Sequence, residues 1–421
     1  MNDNTSLHWE GGADASHRIP FGAYTSDDLH RRELERFFYR GHWSYVALEA
    51  EIPNPGDFKR TVVGERSVIV VRDHKDDAIH VVENVCAHRG MQFCRERHGN
   101  RRNFTCPYHQ WGYALNGDLL GVPMRRGVRQ PDGSMAGGMP ADFDVKAHGL
   151  TKLKVARRGG VVFASFDHDV EPLEDFIGPE ILRWFDRLFD GKRKLRILGY
   201  NRQRIPGNWK LMQENIKDPY HPGLLHTWFV TFGLWRADNA AQLRMDARHR
   251  HAAMISTRGN AGNASEVAQG VTSFKPKMQL NDDRFLDIVP ESWWGGPTAV
   301  MTTLFPSVIL QQQVNSVSTR HIQPDGHGAF NFEWTHFGFD DDDDAMTRRR
   351  LRQANLFGPA GFVSADDGEV IEFSQSGFES KPFHRTVAEL GGREVGDTEH
   401  MVTETLIRGM YRYWRDVMEA P

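Results

Sequence analysis

Short runs rich in β-branched residues, separated by turn-forming residues, fill the chain from about residue 41 to residue 160. These runs have the length and composition of β-strands. The predicted strands are Trp43–Leu48, Phe58–Val63, Ser67–Val71 and Ile79–Val82. Asn116-Gly117 predicts a hairpin, because both residues readily take the positive φ angles of a tight two-residue turn. This part of the chain is therefore predicted to be all-β.

The remainder of the chain shows a mixed pattern of helix and strand. Ser26 is placed to cap a helix that begins with Asp27 and Asp28, where negative charge favours the helix N-terminus. The further predicted helices are Glu174–Phe189, Thr347–Asn355 and Glu404–Met418, and the predicted long strands are Ser307–Ile322 and Asn331–Phe339. The five consecutive acids Asp340–Asp344 are interpreted as a solvated loop before a helix.

Composition narrows the classes of protein to which the chain can belong. With 421 residues, 39% of them hydrophobic and 26% charged, it is long enough for two globular domains. A net charge of −4 gives no basic field for nucleic acid. We expect no membrane span and no signal peptide. Only three cysteines are present, so no disulfide framework is expected and a cytoplasmic location is predicted.

Two short motifs carry candidate metal ligands in the all-β region. Cys86-Ala87-His88 is followed, seventeen residues later, by Cys106-Pro107-Tyr108-His109. Two thiolates and two imidazoles suit a [2Fe–2S] centre in which one iron takes both sulfurs and the other iron both nitrogens. A structural zinc site is the alternative, although zinc fingers usually pair like ligands within each half. The third cysteine, Cys94, is interpreted as a small buried residue.

A second group of ligand-type residues lies in the segment from Glu214 to His226. Asp218, His221 and His226 recur at spacings of three and five residues. Pro222-Gly223 must interrupt a helix there, which would allow the two histidines to converge. Two histidines and a carboxylate are the ligands of mononuclear non-haem Fe(II) oxygenases, which keep open positions on the metal.

Both motifs resemble those of the Rieske non-haem iron aromatic-ring hydroxylating oxygenases, in their large (alpha) subunits. The resemblance extends from Arg18–Thr25 to Met410–Trp414, nearly the whole chain. It implies an α+β protein with an N-terminal segment, residues 1–40, packing on the catalytic domain. An all-β Rieske domain, residues 41–160, and a catalytic domain with an antiparallel sheet covered by helices, residues 161–421, would follow.

The resemblance also implies roles for individual residues. Cys86, His88, Cys106 and His109 would hold the Rieske cluster, and His221 and His226 the mononuclear Fe(II). The third iron ligand is predicted to be Asp367, with Asp366 the alternative, from the segment 358–369. Asp218 would accept the Nδ1–H of His221 and contact the second Rieske histidine, His109, of a neighbouring subunit.

The implied reaction is hydroxylation of an aromatic acid with O₂, most specifically of salicylate at carbon 5 to give gentisate. The stretches 51–58, 208–229 and 311–320 resemble family members with that activity. The alternatives are cis-dihydroxylation of a related aromatic carboxylate, and a Rieske electron-transfer protein without catalytic iron. The chain lacks dinucleotide-binding motifs. Electrons from NAD(P)H would therefore come through a separate reductase and ferredoxin. A small β subunit and an α₃β₃ hexamer built on a homotrimer are also implied.

Residues that contact the substrate are the last set of predictions. An arginine offers a two-pronged partner for a carboxylate, and Arg320 lies on the predicted strand Ser307–Ile322. The other candidates are Gln311, Gln313, Phe357, Asn215 and Val363. Glu214 departs from the family pattern, because many dihydroxylating relatives have Asn at this position, four residues before the bridging Asp.

Overall fold

The computed structural model describes residues 16–235, 239–258, 272 and 275–420. Within these residues the chain forms two compact units. One unit, here the β unit, is Phe38–Val170; the other, the mixed unit, contains the described residues up to Phe37 and from Glu171 onward. Among the described residues, no helix is both long enough and apolar enough to cross a membrane.

The β unit is built from short antiparallel strands. Its strands are β1 (Ser44–Leu48), β2 (Asp57–Val63), β3 (Arg66–Arg72), β4 (Ile79–Glu83), β5 (His98–Asn100), β6 (Phe104–Thr105), β7 (Gly112–Tyr113), β8 (Leu119–Gly121), β9 (Val128–Arg129), β10 (Met135–Ala136), β11 (Lys154–Arg158) and β12 (Val161–Ser165). They form sheets of order β1-β12-β11, β4-β3-β2-β5 and β6-β7-β8, and the hairpin β9-β10. The four predicted strands and the hairpin at Asn116-Gly117 are confirmed.

The β unit extends ten residues beyond the predicted boundary at residue 160. Strand β12 pairs with β1, with Ser44 opposite Ala164 and Leu48 opposite Val161. All five residues of β12 are buried. The sequence of a short buried strand is compatible with either domain. Its partner strand β1 lies more than 100 residues earlier in the chain. Only the pairing shows to which unit this strand belongs.

The mixed unit contains a seven-stranded antiparallel sheet within the described residues. Its strands are β13 (Leu195–Ile205), β14 (Ala240–Met245), β15 (Ala252–Thr257), β16 (Ala299–Leu304), β17 (Val308–Gln313), β18 (Ser316–Pro324) and β19 (Phe330–Phe339). The strand order is β13-β19-β18-β17-β16-β15-β14. The first and last of these strands in the sequence, β13 and β19, are neighbours in the sheet. Every other pair of neighbouring strands is also consecutive in the sequence.

The prediction of one strand over Ser307–Ile322 is wrong, because the chain reverses in the middle of this run. β17 and β18 form a hairpin in which Gln313 lies opposite Ser316, and Val314 has a positive φ of 48°. The turn contains neither Gly nor Pro. It is held from outside, since Arg350 donates to the carbonyl of Asn315 (2.6 Å) and Asn315 N donates to Gln353 Oε1 (2.8 Å).

Helices pack around this sheet. They are α1 (Gly22–Thr25), α2 (Asp27–Glu33), α3 (Leu173–Ile177), α4 (Pro179–Leu188), α5 (Trp209–Lys217), α6 (Pro222–Leu225), α7 (Thr227–Thr231), α8 (Asp344–Phe357), α9 (Ser364–Ser380) and α10 (Thr405–Glu419). Leu34–Phe38 continues α2 as a π-helical turn, and 3₁₀ turns occupy Glu49–Glu51, Val145–His148, Asp283–Leu286 and Ser292–Trp294.

The helix ends follow local sequence signals. Ser26 Oγ accepts the N–H of Leu29 at 3.2 Å, which confirms the predicted cap. The predicted helix Glu174–Phe189 is divided at Gly178, whose φ of 78° interrupts the α-helix. In the acidic run, Asp343 caps α8 by accepting the N–H of Met346 at 2.7 Å. The run therefore has a structural role at this helix end.

The N-terminal segment belongs to the mixed unit as far as Phe37. Pro20 forms a β-bridge with Arg385, and the ring of Tyr24 stacks on Phe378 with centroids 4.5 Å apart. Residues 1–15 of the predicted segment lie outside the described residues, and residues 38–40 fall in the β unit.

Candidate metal centres and substrate pocket

The two cysteine–histidine motifs of the β unit sit on loops of the same construction, Cys86–Met91 and Cys106–Trp111. In each loop the N–H of the first residue donates to the carbonyl of the last, at 2.9 Å in both cases. The N–H of the residue before the last donates back to the first carbonyl, at 2.9 and 2.8 Å. That residue has a positive φ in both loops, 71° at Gly90 and 57° at Gln110. Both loops therefore present their side chains from one repeated backbone shape.

The ligand side chains of the two loops meet as like pairs. The rings of His88 and His109 have centroids 4.5 Å apart, and His88 stacks on Trp111 at 4.8 Å with parallel planes. Both cysteines, Cys86 and Cys106, are buried and free of disulfides. Each loop thus contributes one residue to a sulfur pair and one to an imidazole pair.

Tyr113 on β7 is a residue of this site that the sequence reasoning missed. Its hydroxyl lies 3.2 Å from Cys86 Sγ and accepts the N–H of Ala87 at 3.1 Å. Hydrogen bonds to cluster sulfurs are one of the features that set the reduction potential of an iron–sulfur centre. In the sequence, only its position in the predicted hairpin, close to the second motif, indicates that Tyr113 could contact this site.

The distances among the four cysteine and histidine donor atoms allow the two-iron cluster to be compared with a structural zinc site. Tetrahedral zinc, with bonds of about 2.0 to 2.3 Å, needs all four donor atoms within roughly 4 Å of one another. Among the described residues, the groups of three or more donor atoms that lie within 4.8 Å of one another do not include Cys86, His88, Cys106 or His109. Separate sulfur and nitrogen pairs fit a two-iron cluster better than a single ion.

The second site brings together His221, His226 and Asp367 in the mixed unit. The Nε2 atoms of His221 and His226 lie 3.4 and 3.3 Å from the same oxygen, Asp367 Oδ1. The three donor atoms all fall within 4.8 Å of one another. The donor set of two imidazoles and one carboxylate suits a mononuclear iron with open positions.

A break in the helical chain allows the two histidines to converge. Helix α5 ends before Asp218, and His221 and His226 each precede a short helix, α6 and α7. Gly223 is required in this arrangement, since a Cβ there would lie 2.1 Å from the ring of Trp235. The predicted interruption by Pro222-Gly223 is confirmed.

Carboxylates surround this pocket and favour a cation. Burial alone would lower the pKa of His221, but Asp218 and Asp367 outweigh it and raise the pKa to about 9. Burial likewise opposes ionisation of Asp367, yet its contacts with both histidines hold the pKa of that carboxyl below its usual range. The site is thus built to keep a carboxylate charged inside the protein.

Comparison with known proteins shows which domain families the two parts of the chain match. Residues 42–132 match the model of the Rieske [2Fe-2S] domain, and residues 190–420 match the ring hydroxylating alpha subunit (catalytic domain). The large oxygenase component of salicylate 5-hydroxylase from Ralstonia sp is 75% identical, with 97% of this chain and 96% of that protein aligned. The chain belongs to the ring-hydroxylating oxygenase alpha subunits.

Other members of this family are more distant. The large subunit of anthranilate 1,2-dioxygenase from Burkholderia cepacia is 40% identical over 98% of this chain and 95% of its own length. Naphthalene 1,2-dioxygenase from Rhodococcus sp. shares the fold, with a TM-score of 0.78, 23% identity, and coverage of 96% of this chain and 95% of that one. The predicted α+β class, with an all-β Rieske domain and an antiparallel catalytic sheet, is confirmed.

As a ring-hydroxylating alpha subunit, the protein uses a Rieske [2Fe–2S] cluster and a mononuclear iron, with O₂ as co-substrate. The residues of this chain fit both groups: a sulfur pair with an imidazole pair in the β unit, and a converging His–His–Asp set in the mixed unit. A Rieske protein without catalytic iron would need no such second set. The electron-transfer alternative is therefore wrong.

The structure separates the roles of the two neighbouring aspartates in the distal segment. Asp366 Oδ2 lies 3.2 Å from Nδ1 of His226, on the side of the ring that faces away from Asp367. A carboxylate in that position fixes the ring orientation and raises the basicity of Nε2. Asp366 is thus placed to orient the ring of His226, while Asp367 is placed with the two histidines where the three could hold one metal ion.

Asp218 lies beside the other histidine. Its Oδ2 is 3.6 Å from Nδ1 of His221, longer than an ordinary hydrogen bond. Its Oδ1 accepts the backbone N–H groups of Tyr220 at 2.8 Å and His221 at 3.3 Å. The carboxylate is therefore held by the loop backbone, and acts on the ring of His221 through charge.

Three of the predicted substrate residues, Gln311, Gln313 and Arg320, lie on one face of the catalytic sheet. Gln311 pairs with Ser318 across β17 and β18, and Arg320 is two residues further along β18. Because side chains alternate along a strand, Gln311, Gln313 and Arg320 point to the same side. Ser364 at the start of α9, three residues before Asp367, donates to Gln203 on β13 at 3.2 Å. The helix that carries Asp367 thus packs on the sheet.

Arg320 is a buried cation whose Nε atom has no hydrogen-bond partner. Its side chain is 4% exposed, and no carboxylate among the described residues lies within ion-pair distance of it. Its guanidinium lies 4.0 Å from the ring centroid of Trp334. Burial lowers the pKa of Arg320 to about 9, and the charge of Asp367 opposes that change. Within the part of the chain that the structure describes, Arg320 therefore forms no structural salt bridge.

The remaining candidates divide into polar and apolar roles. Gln311 Nε2 donates to Gln313 Oε1 at 2.5 Å, and Gln311 Oε1 has no partner. Phe357 and Val363 belong to one buried apolar cluster with Phe229, which contacts His226. Such a cluster gives an aromatic ring a dry surface next to the candidate metal centre.

Asn215 and Glu214 face different surroundings, although they are adjacent. Asn215 Nδ2 donates to Asp367 Oδ1 at 3.0 Å, so it holds the carboxylate of Asp367 in place. Glu214, the departure from the family pattern, accepts a hydrogen bond from the hydroxyl of Tyr411. It is therefore engaged with helix α10. The position of Glu214, four residues before Asp218, does not predict this contact with Tyr411.

Proposed function

We propose that the protein is the large oxygenase subunit of a salicylate 5-hydroxylase, which converts salicylate to gentisate. The observation that carries the substrate class is Arg320, a buried guanidinium without a carboxylate partner on the sheet face that α9 covers. Leaving a charge buried and unpaired is costly, and a substrate carboxylate would supply the missing partner. The 75% identity with the Ralstonia enzyme supports the same assignment.

The chain's own residues would position the substrate and the metal. The chemistry that the two iron groups supply when bound is electron relay and activation of O₂. Arg320 would bind the substrate carboxylate with two parallel N–H donors. Gln311 Oε1 offers an acceptor for the phenol hydroxyl. Phe357 and Val363 would hold the ring and exclude water, which fixes the ring position that is hydroxylated.

Further components complete the proposed enzyme. A large oxygenase component implies a small β subunit and a ferredoxin and reductase that bring electrons from NAD(P)H. We infer an α₃β₃ assembly in which Asp218 connects the candidate iron site with the cluster of a neighbouring subunit. The three cysteines are free, which agrees with a reducing cytoplasm.

The test supplies salicylate, ¹⁸O₂ and NADH to the anaerobically purified holoenzyme with its small subunit, ferredoxin and reductase. We expect gentisate with one labelled oxygen by mass spectrometry. A doubly labelled diol from salicylate, or turnover of another aromatic acid without any gentisate, would reject 5-hydroxylation and favour the dihydroxylating alternative. Anthranilate and terephthalate are the matched competitors, because relatives with 40% and 39% identity are named for them.

Asp218→Asn tests the connecting role of this carboxylate. The amide keeps the size of the side chain but removes the charge beside His221, 3.6 Å away. We expect both iron groups to remain bound, and electron transfer from the reduced cluster to slow by about tenfold or more, since partner residues of metal ligands typically contribute 10- to 100-fold. Stopped-flow single turnover measures the rate. An unchanged rate with full metal content would rule out the connecting role.

A further inference from the structure

His336 on β19 is a buried histidine on the same side of the sheet as Arg320. Across β18 and β19, Arg320 pairs with Trp334 and Ser318 pairs with His336. Side chains two residues apart on a strand lie on the same side of a sheet, as do side chains directly opposite on neighbouring strands, so His336 is a diagonal neighbour of Arg320. Gln311 is the diagonal neighbour on β17, since it pairs with Ser318 from the other side. Arg320 thus has Gln311 on one side and His336 on the other.

Two contacts fix the imidazole of His336. Its Nε2 lies 2.7 Å from Oδ1 of Asn201 on β13, so this nitrogen carries the proton and donates it to the amide oxygen. Its ring stacks on Trp334, with centroids 5.7 Å apart and an angle of 27° between the planes. The guanidinium of Arg320 lies 4.0 Å from the centroid of the same Trp334 ring. One aromatic side chain therefore orients both the imidazole and the guanidinium.

The second ring nitrogen of His336, Nδ1, is an unpartnered hydrogen-bond acceptor. With the proton on Nε2, Nδ1 presents its lone pair. His336 is 4% exposed, and its Nδ1 has no hydrogen-bond partner among the described residues. Burial and the charge of Arg320 lower the pKa of His336 to about 4, so the ring is neutral at pH 7. Because Oε1 of Gln311 is also an unpartnered acceptor, the sheet face presents a buried cation between two acceptors.

Helix α9, which carries Asp367, packs on this same side of the sheet. Gln203 on β13 pairs with Phe332 on β19, four residues before His336, so the side chains of Gln203 and His336 share one face. Oε1 of Gln203 accepts the hydroxyl of Ser364 at 3.2 Å, and Ser364 begins α9 three residues before Asp367. The unpartnered polar atoms and the candidate iron carboxylate therefore lie on one side of the sheet.

We propose that His336 is a specificity-determining residue, whose Nδ1 accepts a hydrogen bond from the second ortho substituent of an aromatic acid bound at Arg320. This inference rests on the proposed function, in which Arg320 binds the carboxylate and Gln311 accepts the hydroxyl of salicylate. Salicylate has a donor at only one of the two positions next to its carboxylate, whereas the sheet face has an acceptor on either side of Arg320. Aromatic acids with donors at both ortho positions, such as 2,6-dihydroxybenzoate, satisfy both acceptors.

The test compares two acids that differ only in the second ortho substituent. Isothermal titration calorimetry on the anaerobic wild-type holoenzyme measures the dissociation constants of 2,6-dihydroxybenzoate and 6-methylsalicylate. Both have the carboxylate and one ortho hydroxyl, and the other ortho group is a hydroxyl in the first and a methyl of similar size in the second. A methyl against Nδ1 leaves a buried acceptor unsatisfied, so we expect the dihydroxy acid to bind about fivefold or more tightly.

Three variants show whether His336 causes this preference. His336→Phe keeps an aromatic ring against Trp334 and removes Nδ1, so the ratio of the two dissociation constants should fall to about one. In His336→Asn the amide oxygen can replace Nδ1 as acceptor, and most of the preference should remain. His321→Phe is the matched control, because His321 is buried beside Arg320 on β18 but points to the opposite side of the sheet. It should leave the ratio unchanged.

The outcomes separate this inference from the proposed function. If the wild type bound salicylate but did not distinguish the dihydroxy acid from the methyl acid, the role of His336 would be overturned and the salicylate assignment would stand. A His336→Phe protein with the wild-type ratio would overturn that role in the same way. If none of the three acids bound, the assignment of Arg320 to a carboxylate would be rejected, and this inference with it.

Discussion

Asp367→Ala is expected to remove the mononuclear iron and to abolish hydroxylation, while the Rieske cluster stays in place. Asp367 Oδ1 is the oxygen on which both histidine Nε2 atoms converge, at 3.4 and 3.3 Å. Its loss leaves two neutral imidazoles, a poor site for Fe(II). Because a catalytic metal contributes several kcal/mol, activity should fall by about 10³-fold or more. Iron analysis should find one iron fewer per chain, with unchanged visible absorption of the cluster.

The adjacent aspartate provides a matched control for this prediction. Asp366→Asn changes the contact with Nδ1 of His226, 3.2 Å away, and leaves the three ligand atoms in place. We expect iron to bind about 10- to 100-fold more weakly, as is usual for residues that orient a ligand, and activity to return at high added Fe(II). If Asp366→Asn lost the iron irreversibly and Asp367→Ala retained it, the assignment of the third ligand would be reversed.

Arg320→Met is expected to weaken the use of carboxylate substrates and, unusually for a buried residue, not to lower stability. Truncating one member of a buried charge pair costs about 2 to 5 kcal/mol, so kcat/KM for salicylate should fall by roughly 30-fold or more. The free protein holds this guanidinium without an ion-pair partner, stacked at 4.0 Å on Trp334. Removing an unpaired buried charge should leave the thermal unfolding midpoint unchanged or raise it.

Phenol is the matched control substrate, since it keeps the hydroxyl and lacks the carboxylate. The preference for salicylate over phenol should therefore decrease in Arg320→Met, measured as the ratio of the two kcat/KM values. A lower unfolding midpoint together with an unchanged preference would show that Arg320 stabilises the sheet and does not recognise the substrate. In that case the buried Arg320 would no longer support an aromatic carboxylate as the substrate, although the candidate iron site would be unaffected.

Short sequence motifs were enough to predict most of the candidate metal ligands. Cys86 and His88, like Cys106 and His109, are fixed within a few residues of each other, and local spacing largely determines such loops. The interruption at Pro222-Gly223 is also a local effect, because proline and glycine disturb a helix whatever surrounds them. The sequence therefore predicted the class of both metal centres.

Long-range packing decided the features that the sequence reasoning missed or left open. The hairpin turn Val314-Asn315 contains neither Gly nor Pro, and Arg350 and Gln353 of helix α8 hold it by hydrogen bonds to Asn315. Strand β12 belongs to the β unit only because it pairs with β1. The choice between Asp366 and Asp367 depends on how α9 is rotated against the two histidines, which no local pattern encodes.

The sequence by itself determined the donor types, their local spacing, and the two kinds of iron chemistry, because these depend on residues close together in the chain. Tertiary structure decided which carboxylate lies against the two histidines, that Arg320 is buried without an ion-pair partner, and that Glu214 accepts a hydrogen bond from Tyr411. Each of these depends on the packing of different secondary-structure elements against one another. Burial and charge, which set the reactivity of those groups, exist only once that packing has formed.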